Sequence, residues 1–268
     1  MSDIRFNCSR LMATHLLPAV SALVLAALSC HARAGSVVEE RVEETYPLSA
    51  DATVSIRNAD GRIHVYGSNK NELTIVAVKR AFTKERVAAI KIDARVDATS
   101  AVIDTIYPPA PEGRFEDRSG TVDYMIYVPQ ACTLTKAELT NGEILLQDLR
   151  GPSASSSLGM GRSHVRNCFT DLSVTVGSGG LDVFYTWWES GVFSFDAEIA
   201  NGNVRLALPP NVAARIDLAS TFGNIRDRFS KEPAKGDQRA VNMTLGDESS
   251  IALKVRATRG NITVEKAY

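Results

Sequence analysis

Histidine and cysteine, which often serve as metal ligands or catalytic groups, are scarce in this chain. The 268 residues include four of each, and two of each lie before residue 35. The remaining histidines are His64 and His164, and the remaining thiols are Cys132 and Cys168. Zinc sites use three or four protein ligands, so we expect no metal and no cofactor.

Patterns of common catalytic and phosphate-binding loops are also missing. The sequence has no Gly-x-Ser-x-Gly elbow, and the serine-rich residues 153–157 are interpreted as a loop. The glycine-rich residues 159–161 and 177–180 lack the lysine and the following helix of a phosphate cradle. We therefore expect a protein that is not an enzyme.

One enzymatic alternative stays open, which is a protein that acts on envelope polysaccharide. Glycan-cleaving enzymes use pairs of carboxylates, and some β-helical proteins carry such groups on an outward face. Asp182, Glu143 and Asp196 are the candidates here.

The first 34 residues have the organisation of a secretory signal peptide. Arg5 and Arg10 precede an apolar run at residues 16–28, and Ala32 and Ala34 supply the small residues of a cleavage site. The run is shorter than the roughly 20 apolar residues that span a bilayer. We expect cleavage after Ala34, a periplasmic, secreted or cell-surface location, and no membrane span in the processed chain.

Cys30 offers a competing processing site. The residues before it are similar to the sequence that precedes the lipidated cysteine of bacterial lipoproteins, although Leu28 is one place out of register. Lipidation would anchor the protein to a membrane surface. Cleavage after Ala34 is the preferred interpretation, because small residues stand at both determining positions there.

The composition is that of a globular protein. The chain is 44% hydrophobic and 23% charged, with a net charge of −1, which differs from disordered and collagen-like sequences. Without residues 1–34 it has 27 basic and 30 acidic residues. With no basic excess, we expect no nucleic-acid partner.

A repeated glycine pattern is the strongest structural signal. Residues two and four places after the glycine are apolar at twelve of fourteen positions, and the central glycines are 19, 18, 23 and 21 residues apart. Such alternation is typical of strands that bury one face. The seven glycines are Gly61, Gly142, Gly161, Gly179, Gly202, Gly223 and Gly260.

The repeat predicts an all-β fold in which short strands stack as in a β-solenoid. Each copy is interpreted as a turn at the glycine, a short strand, a second turn and another strand, because glycine tolerates positive φ. Units near twenty residues cannot bury their apolar face alone, so neighbours stack at about 4.8 Å. An antiparallel β-sandwich is the alternative, since Asn-Gly turns also close hairpins.

We expect one continuous domain after the signal peptide. It has an irregular N-terminal β region at residues 35–130 and the repeats at residues 131–268. The elements predicted in the first region are an edge strand at 37–42, a strand pair within 52–78, a short helix at 83–90 and strands at 92–106 and 121–128.

Three segments carry a resemblance to a known family. Residues 58–65, 137–146 and 197–225 contain strands with Asn-Gly or related turns, and the last includes a Leu-Pro-Pro sequence. In these features the chain resembles the bacterial putative-adhesin domain family, an exported family of unknown function. The resemblance covers roughly residues 50–266 and implies a solenoid-like all-β fold. It implies no catalytic residues.

The repeat register places both histidines on an outward row. His64 and His164 each follow their glycine by three places, so we interpret them as solvated side chains, with Asp182 beside His164. The other members of this row are Leu145, Arg205, Arg226 and Thr263.

The same register predicts that the two thiols are free. Cys132 and Cys168 precede glycines that are two repeats apart, which corresponds to roughly 9–10 Å. A disulfide needs Cα atoms within about 7 Å.

An aromatic cluster is the one local feature that points to binding. Six aromatic residues fall within residues 184–195, including both tryptophans. Trp187 and Trp188 face opposite sides if the segment is extended, so one ring is exposed or covered by an irregular segment. Such a ring, with Tyr185 nearby, could stack on a sugar or anchor a protein. Packing in a wide part of the core is the alternative.

Taken together, the sequence predicts an exported, non-enzymatic β-repeat protein that acts as an adhesin or as a structural or binding module of the bacterial envelope. The expected partner is an envelope protein or polysaccharide.

Overall fold

The computed structural model describes residues 37–113, 116–230, 238–246 and 250–267. The predicted signal peptide and the competing site at Cys30 lie outside the described residues. Nearly every element is a strand, which confirms the predicted all-β class. The elements in chain order are β1 (Val38–Pro47), β2 (Thr53–Ser68), β3 (Glu72–Ala81), α1 (Lys84–Ala89), β4 (Lys91–Val96), β5 (Ser100–Ile106), β6 (Thr121–Pro129), β7 (Thr133–Gln147), β8 (Ser153–Arg166), β9 (Asp171–Phe184), β10 (Ser194–Leu208), β11 (Ala214–Phe222), β12 (Ile225–Asp227), β13 (Ala240–Leu245), β14 (Ala252–Arg259) and β15 (Ile262–Lys266).

The repeated strands are longer than predicted, because five of them continue through their glycine without interruption. Gly61 lies inside β2 and Gly142 inside β7, and β8, β9 and β10 have the same arrangement. In β9 the buried positions are even-numbered before Gly179 and odd-numbered after it. The strand therefore bends at the glycine, and both halves bury the same side. The prediction of a turn at these five positions is wrong.

The bent strands pair in parallel and in register. β2 pairs with β7, and β8, β9 and β10 follow in order. This arrangement agrees with the stacked repeats expected from the sequence and differs from an antiparallel sandwich. All strands of the described residues belong to one open sheet of 15 strands. The glycines aligned in one column by these pairings are Gly61, Gly142, Gly161, Gly179 and Gly202.

Close backbone approach explains why the column consists of glycine. A Cβ atom on Gly142 would lie 1.8 Å from the carbonyl oxygen of Gly61, and one on Gly179 would lie 1.7 Å from that of Gly161. Gly142 also has a φ of 134°, which L side chains rarely adopt. The repeat thus needs glycine for space as well as for conformation.

The C-terminal strands do not stack in chain order. β14 and β15, on either side of Gly260, pair with β10, whereas β11 and β12, on either side of Gly223, pair with β14 and β15. The last repeat in the sequence, β14 and β15, therefore lies in the sheet between β10 and the repeat that precedes it in the sequence, β11 and β12. Gly223 differs from the other six repeat glycines, because it does not have the positive φ that they share. Like Gly260, it lies between two strands. β13 pairs with β11 in antiparallel fashion.

The N-terminal region supplies the first strand of the stack and the strands beyond it. β5 and β6 pair in parallel with the first and second halves of β2, and β3 and β1 continue from β6 as antiparallel strands. β4 and β5 form a hairpin. The predicted pairing of two strands within residues 52–78 is wrong, because β6 lies between β2 and β3.

The core lies on the inner side of the bent strands. The second-place residues after the repeat glycines are at most 5% exposed, and all but one are apolar. Ser163 is the exception, and its Oγ has no hydrogen-bond partner within the described ranges. The row consists of Ile63, Ile144, Ser163, Leu181, Val204, Ile262 and Ile225.

Candidate functional site

The outward side chains that follow the glycines form a continuous surface, which we call the post-glycine face. They occupy the first, third and fifth places after each glycine, because the second and fourth places point mainly inward. The third-place row crosses eight strands and confirms the outward row predicted from the sequence. From β6 to β12 it contains Met125, His64, Leu145, His164, Asp182, Arg205, Thr263 and Arg226.

Charge alternates strand by strand across this face. Its basic side chains stand on β2, β8 and β10 and on or directly after β12, whereas its carboxylates stand on the intervening strands and on the flanking β6. The basic set is Arg62, His64, Arg162, His164, Arg166, Arg205, Arg226 and Arg228. The acidic set is Asp123 on β6, Glu143 on β7, Asp182 on β9 and Glu265 on β15.

Each of the four carboxylates contacts a basic group. His64 Nε2 lies 2.8 Å from Glu143 Oε1, and His164 Nδ1 lies 3.5 Å from Asp182 Oδ2. The other two carboxylates pair with arginines, Glu265 with Arg205 and Asp123 with Arg80 of β3.

Four exposed arginines of the face have no such partner. Arg62, Arg162, Arg166 and Arg226 make no ion pair with any described residue. Arg166 instead lies over the ring of Phe184, 6.0 Å from its centroid. The face therefore carries positive charge that is not neutralised by ion pairs within it.

An open groove of about 1120 Å³ runs over the face, next to the glycine column. Side chains from β6 to β12 line it, among them Arg62, Arg162 and Arg226. A smaller depression of about 370 Å³ lies over the middle of the face. It is lined by Arg162, His164, Arg166, Asp182, Phe184 and Arg205.

His164 is neutral near pH 7 in this surrounding. Partial burial lowers the pKa of its imidazole below the usual value, and the positive charges of Arg162 and Arg166 act in the same direction. Asp182 and Glu143 oppose the shift and do not overcome it.

The aromatic cluster is only partly available to a partner. Tyr185 is 0% exposed and its hydroxyl donates to the carbonyl oxygen of Cys168 at 2.8 Å. Trp188 is partly buried and packs edge-on against Tyr185, with ring centroids 5.3 Å apart. Of the three binding residues predicted from the sequence, Tyr185 is therefore enclosed in the core, and Trp188 is only partly exposed.

Trp187 remains the exposed member of that set. Its side chain is 43% exposed, and its Nε1–H donates to Glu189 at 2.9 Å. Glu189 is also held by Arg150, whose guanidinium lies over Phe169 at 5.5 Å. The loop that follows β9 thus presents one indole ring with a fixed polar edge.

The thiols and histidines do not meet. Cys132 and Cys168 are both buried and free, and burial raises the pKa of each thiol to about 12. Within the described ranges, no three or more His, Cys, Asp and Glu side chains are grouped so that they could hold a metal ion.

The carboxylates of the enzymatic alternative fall on different surfaces. Glu143 and Asp182 follow their glycines and lie on the post-glycine face, each beside a histidine. Asp196 precedes Gly202 in β10 and lies opposite Ser173 and Lys254 on the other half of the stack. The structure therefore does not bring the three together.

Sequence reasoning named only part of this site. The third-place row was found, but the first- and fifth-place arginines Arg62, Arg162, Arg166 and Arg228 were not singled out. Counting charge at the odd-numbered places after each glycine would have found them, since these places point outward in every repeat.

In the described part of the chain, no helix has the length and apolar character that crossing a membrane requires. No family model and no curated protein matches the sequence.

Several solved structures resemble the chain at low sequence identity. One is a putative cell adhesion protein from Clostridium sporogenes, which is 14% identical with a TM-score of 0.48 over 85% of this chain and 100% of its own. A putative adhesin from Bacteroides fragilis is 12% identical, with a TM-score of 0.33 over 85% of this chain and 97% of its own. A putative lipid binding protein from Parabacteroides distasonis is 10% identical, with a TM-score of 0.32 over the same shares. Likeness at this level leaves the function to be argued from the chain's own surface.

Proposed function

We propose that this chain is an exported, non-enzymatic binding module of the bacterial envelope and that its post-glycine face contacts an extended partner. The observation that carries the proposal is the open groove lined by Arg62, Arg162 and Arg226, which have no ion-pair partner among the described residues. An arginine outside any ion pair keeps its five N–H donors available to a ligand.

The dimensions of the face favour a long partner over a small one. From β6 to β12 it crosses seven strand separations, roughly 34 Å at about 4.8 Å each. Neighbouring side chains within each row are separated by this interval, because the strands stay in register through the glycine column. A polymer or an elongated protein segment can contact side chains on several strands at once.

Trp187 is a second contact point in this proposal. Its exposed ring lies in the loop after β9, where the hydrogen bond to Glu189 fixes the edge of the indole. Such a ring stacks on sugar rings or anchors a protein partner. Tyr185 and Trp188 support the loop from below.

Export is part of the proposal and has its own test. The arrangement of Arg5, Arg10 and the apolar run supports removal of residues 1–34. Mass spectrometry of the protein isolated from the cell envelope should show Gly35 at the amino terminus. A lipid on Cys30, or an intact amino terminus in the cytoplasm, would contradict this step.

Binding is tested with purified envelope fragments and the processed protein. The triple variant Arg162→Gln, Arg166→Gln, Arg205→Gln removes positive charge from the centre of the face. We expect it to sediment with the fragments with at least about tenfold lower affinity, and Trp187→Ala to weaken binding further.

The matched control removes the same charge elsewhere. Lys84, Lys91 and Lys254 are exposed and lie outside the post-glycine face, so their change to Gln should alter affinity by less than about twofold. Equal losses in both triple variants, or no binding by the unaltered protein, would refute the proposed function.

A further inference from the structure

Basic residues recur on every second strand of the post-glycine face. In the third-place row, His64, His164, Arg205 and Arg226 stand on alternate strands, separated by Leu145, Asp182 and Thr263. Strands in a sheet are about 4.8 Å apart, so the basic strands repeat at roughly 9.6 Å. Because the imidazole of His164 is neutral near pH 7, arginines supply the positive charge that a ligand running along the stack meets at that interval. These are Arg62 on β2, Arg162 and Arg166 on β8, Arg205 on β10 and Arg226 on β12.

We infer that the partner of this face is a linear acidic polysaccharide in which charged sugars alternate with neutral ones, lying across the strands. This inference rests on the proposed function and specifies its ligand. One negative charge per disaccharide recurs at about the spacing of every second strand, so each acidic sugar can lie over a basic strand. The neutral sugars then lie over the strands between.

The side chains of the basic strands suit carboxylate groups. The face has six arginines against four carboxylates, and Arg62, Arg162, Arg166 and Arg226 are exposed and without an ion-pair partner in the described residues. The planar fork of arginine binds a carboxylate through two parallel hydrogen bonds. Binding to these groups does not require breaking an existing ion pair.

The carboxylates on the strands between the basic ones disfavour polymers whose negative charges are more closely spaced. Glu143 lies between Arg62 and Arg162, and Asp182 lies between His164 and Arg205. A polymer charged at every sugar places negative groups over these carboxylates as well as over the arginines. Like charges at close range are repulsive, so extra charge on the polymer does not add affinity here.

Uncharged contacts are available for the neutral sugars. Tyr127 stands on β6 in the fifth-place row and is 40% exposed. Thr263 stands on β15 in the third-place row and lines the groove. Aromatic rings and side-chain hydroxyls contact neutral sugars through stacking and hydrogen bonds.

The test compares defined polymers of equal length against the processed protein by titration calorimetry. The probes are hyaluronan oligosaccharide, with one carboxylate per disaccharide, its carboxyl-reduced neutral form, and polygalacturonate, with one carboxylate per sugar. We expect hyaluronan to bind most tightly, polygalacturonate at least about tenfold more weakly and the neutral form more weakly still. Arg162→Gln with Arg205→Gln should lower the affinity for hyaluronan at least about tenfold.

A second variant tests the selection by the acidic strands. Glu143→Gln with Asp182→Asn preserves size and removes the interleaved charges, so polygalacturonate should gain affinity more than hyaluronan does. An unchanged ratio between the two polymers would overturn the inference. So would tighter binding of duplex DNA, anionic lipid vesicles or polygalacturonate than of hyaluronan by the unaltered protein.

The two levels of the proposal fail in different ways. If none of the defined polysaccharides binds but sedimentation with envelope fragments still depends on Arg162, Arg166 and Arg205, the alternating-charge inference is wrong and the binding face stands. If sedimentation is independent of these arginines, the proposed function itself is wrong.

Discussion

The backbone of Gly142 passes so close to Gly61 that a Cβ atom on Gly142 would lie 1.8 Å from the Gly61 carbonyl oxygen. The same relationship recurs at the next glycines of the column, with 1.8 Å from Gly161 to Gly142 and 1.7 Å from Gly179 to Gly161. The column therefore sets how closely neighbouring strands stack at the bend. This stacking in turn sets the distance between neighbouring side chains within each row of the post-glycine face.

Substitution in the column should be costly. Gly142→Ala combines a positive φ with a backbone clash, so we expect a loss of at least about 2 kcal/mol in the free energy of unfolding. Gly191→Ala is the matched control, because nothing lies within 4 Å of its Cβ position. Urea denaturation of both variants measures the difference. Equal stability of the two would refute the close approach at the bend.

Replacing Ser163 should increase the free energy of unfolding. It is 1% exposed, lies between Ile144 and Leu181, and its hydroxyl has no partner among the described residues. Ser163→Ala should raise the free energy of unfolding by about 1 kcal/mol. Thr170→Val should lower it by a similar amount, about 1 kcal/mol, since the Thr170 hydroxyl donates to the Gly151 carbonyl at 2.7 Å. Destabilisation by Ser163→Ala would mean that the hydroxyl is satisfied.

His164 should titrate below the ordinary histidine pKa of about 6.5. Burial and the neighbouring Arg162 and Arg166 favour the neutral ring, so NMR titration of Arg162→Gln should show a higher pKa at His164. The unfolded chain binds this proton more readily than the folded one. The stability from this group is therefore present above about pH 6.5 and falls as the pH drops toward the folded-state pKa.

The loss of stability between pH 7 and 5 should accordingly be smaller in His164→Gln than in the unaltered protein. Thermal denaturation at the two pH values measures it. A pKa for His164 above the ordinary value would contradict the assigned burial.

The two thiols should be inert in the folded protein. Burial raises the pKa of Cys132 and Cys168 to about 12, so iodoacetamide at pH 8 should modify neither, whereas both should react in denaturant. Peptide mapping reports each site separately. Ser190→Cys, at an exposed position, provides a thiol that should react at once. Rapid modification of Cys168, or a bridge to Cys132, would contradict the strand register.

The fold was predictable where one pattern repeats and unpredictable where the chain changes order. Apolar residues such as Ile144 and Val204, two places after a glycine, correctly predicted the buried row and the parallel stack. The insertion of β14 between β10 and β11, and of β15 between β10 and β12, could not be predicted, because the spacing from Gly223 to Gly260 fits either order. The separation of β2 from β3 by β6 was hidden because neither β3 nor β6 contains a repeat glycine that marks its place in the stack.

The site was predictable in part. Periodicity alone placed His164 beside Asp182, because both follow a glycine by three places. It could not tell that Tyr185 points into the core and that Trp187 is exposed, since residues 185–193 lie outside the strands and their packing depends on Phe169 from another repeat. The alternation of charge between strands becomes visible only when the spatial order of the strands is known.

The central claim is that the partner lies on the post-glycine face, and NMR of the arginine Nε–H and tryptophan indole signals tests it most directly. With hyaluronan oligosaccharide added to the processed protein, we predict that the signals of Arg162, Arg166 and Arg205 shift together and that Arg57, which precedes its glycine and pairs with Asp104, stays unchanged. Shifts confined to Arg57 or to residues outside the post-glycine face would contradict the account.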